Sequence, residues 1–113
     1  MSKAAAIRAR KVDIEYYPPK DKVTILRPLE ERQRPVLVQQ VDSDTYEWID
    51  RESGAVVAYE FFYFSEMFRG RGLVLPVAEP EVQFEVAQEP GRFFRLSELL
   101  KWARKYFKAK PVA

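Results

Sequence analysis

Residues 55–64 read Ala-Val-Val-Ala-Tyr-Glu-Phe-Phe-Tyr-Phe, an apolar run broken by one carboxylate. At a period of two, one face carries Val56, Ala58, Glu60, Phe62 and Phe64, and the other Ala55, Val57, Tyr59, Phe61 and Tyr63. Such β-branched and aromatic side chains favour a strand. With two apolar faces, this strand needs cover on both sides. It belongs at the centre of the packing or beneath a partner subunit. The chain that must supply the cover has 113 residues, about the size of one domain.

The other segments supply shorter strands. Lys11 to Tyr17 alternates, with Val12, Ile14 and Tyr16 on one face and Asp13 and Glu15 on the other. Pro18-Pro19-Lys20-Asp21 turns the chain into a return strand over 23–27. A charged loop from Pro28 to Pro35 precedes strands over 36–41 and 45–50, joined by the turn Asp42-Ser43-Asp44. Gly54 serves the next hairpin loop. A short segment, 73–77, reads as an edge strand or an irregular segment because of Pro76, and Val82, Phe84 and Val86 alternate again. Leu96, Leu99, Leu100, Ala103 and Phe107 then form one helical stripe, with Ser97 as the expected N-cap. The expected fold is α+β: an antiparallel β-meander of five to seven strands with one amphipathic, basic C-terminal helix on one face. Residues 1–10 form a basic lead-in, and 11–113 a single domain.

Residues 12–64 resemble a small, uncharacterised prokaryotic family of β-rich domains. The likeness rests on Val12, Ile14, Tyr16, Pro18, Asp21, Val23 and Ile25, then on Ile49, Asp50, Gly54, Val56, Val57, Glu60 and Ser65. The segment after Glu60 is more aromatic than the family pattern, and 73–113 has no counterpart in it. The resemblance implies a β-rich fold. Such domains look to be encoded near small toxin-like proteins, which implies an antitoxin or accessory-subunit role.

Composition narrows the chemistry. The chain has no cysteine and no histidine, which removes thiolate chemistry and the usual general base and zinc ligands. Neither phosphate-loop nor dinucleotide glycine motif occurs. Asp42-Ser43-Asp44 has oxygens for a hard cation but lacks the rest of a calcium loop, so it reads as a turn. We expect no enzyme activity, no cofactor and no metal. Glu60, embedded among aromatics, reads as a structural carboxylate, at a strand edge or paired with an arginine across the sheet, with a functional acid as the alternative. Asparagine is absent and proline is frequent, a thermophile-like composition. No apolar stretch approaches the ~20 residues of a membrane span, and no secretion signal opens the chain, so a cytoplasmic location is expected.

Charge is unevenly spread. Residues 1–11 carry four cations, and 92–113 carry seven cations and one acid. Residues 12–91 carry eight cations and sixteen acids. Either the basic ends fold onto the acidic body, or one meets an anionic partner. Two functions follow. The leading expectation is a protein-interaction module, homodimeric or bound to another protein, with Tyr59, Phe61, Phe62, Tyr63, Phe64 and Trp48 at the sheet core or interface. The alternative is a nucleic-acid binder. Its cations would be Arg69 and Arg71 of the Arg-Gly loop, Arg92 and Arg95, and Lys101, Arg104, Lys105 and Lys108 of the helix region.

Overall fold

The computed structural model describes residues 9–70 and 72–109. Six strands and one helix follow in order: β1 (Ala9–Tyr17), β2 (Lys22–Leu26), β3 (Val36–Asp42), β4 (Thr45–Asp50), β5 (Val56–Phe61), β6 (Gln83–Val86) and α1 (Leu96–Tyr106). Short 3-10 turns occur at Pro18–Lys20, Leu29–Glu31 and Phe64–Met67. The fold is therefore α+β.

The sheet is mixed, and it is not a simple meander. Its strand order is β3-β4-β5-β2-β1-β6. The hairpins β1–β2, β3–β4 and β4–β5 are antiparallel, as expected. Two long-range pairings depart from the expectation. β2 pairs with β5 rather than with β3, Ile25 lying opposite Tyr59. β6 pairs parallel to β1, from Ala9 opposite Gln83 to Val12 opposite Val86. In the first, β5 sits between β4 and β2, which leaves β3 at the sheet edge among the described residues.

The helix stripe falls where its periodicity places it. Leu96, Leu99, Leu100 and Ala103 are buried in one cluster with Val12, Ile14, Val23, Ile25 and Phe61. Each buried leucine contributes roughly 2 kcal/mol of transfer free energy. The helix opens at Arg95 rather than Ser97, and the Arg95 N–H donates to Glu98 Oε1 at 2.8 Å. The Ser97 N–H instead donates to Glu79 Oε2 at 3.1 Å. Residues 73–77 take the irregular alternative rather than an edge strand. Pro76 has no N–H for a ladder, and Leu73, Leu75 and Val77 cover the core from an irregular segment. Ala9 and Arg10 of the basic lead-in begin β1, and residues 1–8 lie outside the described residues.

β5 ends at Phe61 rather than Phe64, and the cause is local. Tyr63 adopts φ 52°, in the left-handed region. An aromatic residue there costs about 1 kcal/mol and needs support from its surroundings. The support comes from Asp21, also left-handed at φ 48°. Asp21 is buried. Its Oδ1 accepts from the Tyr16 hydroxyl at 2.7 Å and the Ser65 hydroxyl at 2.9 Å. Its Oδ2 accepts from the Ser65 N–H at 2.9 Å, and its carbonyl from the Phe64 N–H at 2.7 Å. One residue thus ties the β1–β2 turn to the chain reversal after β5. Truncation would strand the two buried donors of Ser65 and remove the bond from the part-buried Tyr16 hydroxyl. We predict that Asp21→Ala costs about 3 kcal/mol in urea unfolding. Asp21→Asn should cost less, because asparagine tolerates the left-handed backbone and keeps one acceptor oxygen.

Candidate functional site

The aromatic run divides by depth. Tyr59, Phe61 and Phe64 are buried, and all three belong to the core. Tyr59 stacks on Phe61 with centroids 5.8 Å apart. Phe62 and Trp48 are half-buried, and Tyr63 is 55% exposed. Phe62 meets Tyr46 edge-on at 5.9 Å. Tyr46, Phe62 and Tyr63, with Val38, Ser43 and Glu60, line a shallow groove on the sheet face turned away from α1. Glu60 pairs across the sheet, 3.5 Å from Lys22 Nζ and accepting from Trp48 Nε1–H at 3.1 Å. The Lys22 ammonium also sits 5.2 Å above the Phe62 ring.

The groove runs into β3, the edge strand. The other sheet edge, β6, is partly covered, because Phe84 and Phe94 exchange backbone hydrogen bonds at 2.7 and 2.8 Å. Among the described residues, β3 has a neighbour on one side alone, β4. After Val36 every residue of β3 is exposed. Leu37 is 54% exposed and Val38 50%. No lysine or proline lies within Val36–Asp42 to discourage another strand from adding. One guard exists, a bulge between Gln40 and Asp42. The sequence identifies β3 as a strand but not as the open edge. The available signal was the proline and charged loop ahead of it, which detaches it from β2.

The candidate cations do not form one surface. Arg92, Lys101 and Lys105 line a common cleft with Phe93, Phe94 and Trp102, and Glu98 joins them. Arg92 lies 4.5 Å over Phe94 and 3.5 Å from Glu89. Arg95 is 3.8 Å from Glu79, and Arg104 lies 4.7 Å over Phe68. Lys108 is exposed just beyond the helix. Arg69 pairs with Glu66 and lines a separate cleft with Asp42 and Asp44. Arg71 lies outside the described residues. Asp42 and Asp44 form the β3–β4 turn, the Asp44 N–H donating to Asp42 Oδ1 at 2.9 Å.

The polar residues behind the family resemblance act as structural ties. Tyr16, Asp21 and Ser65 make the knot described above. Asp50 closes the β4–β5 turn, accepting from the Glu52 N–H at 3.1 Å and the Ser53 hydroxyl at 2.9 Å. The Glu52 bond, then Ser53 and Arg34, hold its carboxyl below the usual carboxylate range against an opposing effect of burial. Comparison with protein-family models, curated proteins and solved structures yields no match. Among the described residues, no helix is long and apolar enough to cross a membrane.

Two outcomes follow from this surface and the core beneath it. Burial, then Glu47 and Glu79, push the Tyr59 hydroxyl up to about 12. A phenol is neutral when protonated, so the folded state keeps a proton that the unfolded chain releases above its ordinary value of 10.0. Stability should be full below pH 10 and fall between about 10 and 12, and Tyr59→Phe should flatten that fall in pH-dependent unfolding. Separately, Tyr63→Gly should leave thermal stability equal or raise it by up to about 1 kcal/mol, because glycine relieves the left-handed backbone.

Proposed function

We propose that this protein is a non-enzymatic protein-interaction module that takes up a strand from another polypeptide along β3. The observation that carries the reading is the edge itself: exposed from Leu37 to Asp42, apolar at Leu37, Val38 and Val41, and neighboured by β4 alone among the described residues. Strand addition would satisfy the edge backbone groups, and alternate side chains would give specificity. The groove of Tyr46, Phe62 and Tyr63 beside Val38 offers aromatic surface to the incoming chain. An antitoxin or accessory subunit in the cytoplasm, the role implied by the resemblance of residues 12–64, works through contacts of this kind.

A second reading has a specific support. The cleft of Arg92, Lys101 and Lys105 sets cations beside the partly exposed Phe93 and Trp102, the arrangement that single-stranded nucleic acid uses. It ranks second because Glu98 shares the cleft and Arg92 lies near Glu89. Arg69 stands apart, among acids.

Lysine placed on the edge discriminates between the two. Val38→Lys should keep the native circular dichroism and melting behaviour, since the site is half exposed, yet abolish capture of protein partners from host lysate. Retention that ignores Val38→Lys but collapses with nuclease, and with Lys101→Glu plus Lys105→Glu, would transfer the function to the basic cleft.

A further inference from the structure

We propose that the strand received by β3 is β3 of a second copy, antiparallel about a two-fold axis at Gln39. This rests on β3 being a docking edge and names its occupant. Antiparallel self-pairing lets one edge complement itself under two-fold symmetry. Centred on Gln39, it sets Val38 opposite the partner's Gln40, and side chains opposite one another in an antiparallel pair share a face. Val41 is the bulged residue and lies outside the regular pairs, so Leu37 and the partner's Val41, both exposed in the single chain, meet at the ends of the ladder rather than within it.

Charge along the edge selects the same direction. The chain enters β3 from Arg34 and leaves it at Asp42 and Asp44. Arg34 is well exposed, although its guanidinium lies 3.4 Å from both Asp50 and Glu52 of its own chain. Arg51 is exposed at the same end, its N–H donating to the Pro35 carbonyl at 3.1 Å. At the other end, Asp42 and Asp44 share a cleft with Arg69, which is already paired with Glu66. Antiparallel pairing brings the arginine end of each strand to the aspartate end of the other. Parallel pairing would set aspartates against aspartates. The bulge after Gln40 shortens the regular ladder, so the contact is at the small end of stable interfaces and self-association falls in the micromolar range.

The chain's lack of cysteine makes the test clean. In the full chain, Gln39→Cys introduces one thiol, which under copper–phenanthroline oxidation should join two copies rapidly. Glu52→Cys, distant from the axis, should stay largely monomeric under the same treatment. Arg34→Glu and Asp44→Lys should each weaken self-association by roughly tenfold in light scattering. Mixed together, these two variants should recover it, because Glu then faces Lys at one end and Asp faces Arg at the other. The proposal falls if Gln39→Cys links no faster than Glu52→Cys, or if the mixture associates no better than its components. A chain that stays monomeric at about 100 µM, yet loses a protein partner on Val38→Lys, would overturn the self-pairing and leave the docking edge standing.

Discussion

Buried Asp21 is the contact on which the architecture turns. β5 must be central, yet the chain leaving it has to reverse at once so that residues 64–82 can cover the core and deliver β6 to β1. The reversal passes through left-handed Tyr63, which no local preference favours. Asp21 offsets that cost by holding Phe64 and Ser65 from across the sheet, and by accepting the Tyr16 hydroxyl it fixes the turn between β1 and β2. Both backbones in this knot are strained individually and are satisfied only together. This is the kind of mutual support by which a sequence specifies one structure.

Local chemistry was legible in the sequence, and long-range choice was not. The alternation of Val12, Ile14 and Tyr16, the 42–44 turn and the leucine stripe of α1 each encode their element within a few residues. Glu60 was legible in part: it is paired across the sheet, but with Lys22 rather than an arginine. The parallel β1–β6 pairing was invisible, because nothing in four residues of β6 states which strand it will meet. Segment 73–77 is a continuous apolar run compatible with a strand, but Pro76 has no N–H for a ladder and the run covers the core as an irregular segment. Ser97 looked like a cap, and the competing acceptor Glu79 lies 18 residues away.

The candidate site was legible in part. Periodicity identified β5 as needing cover on both sides but could not apportion its rings. Tyr59, Phe61 and Phe64 fill the core, which leaves Phe62 and Tyr63 for the outer face. The open edge follows from the pairing of β5 with β2: with β2 and β4 as the neighbours of β5, β3 has β4 alone beside it among the described residues. Of the basic residues near the C-terminus, Arg92, Lys101 and Lys105 share one cleft, while Arg95 and Arg104 settle beside Glu79 and the Phe68 ring. Sequence clustering of charge thus overstates the surface field that any one partner would meet.

The central proposal is that β3 of a second copy satisfies the outward backbone groups of β3. Amide hydrogen exchange across Val36–Asp42, followed as protein concentration rises through the micromolar range, tests it most directly. The account predicts that alternate amides of β3, the ones turned away from β4, exchange fast in dilute protein and become protected on association. Equal, fast exchange of those amides throughout, with the amides around Asp21 protected, would contradict it.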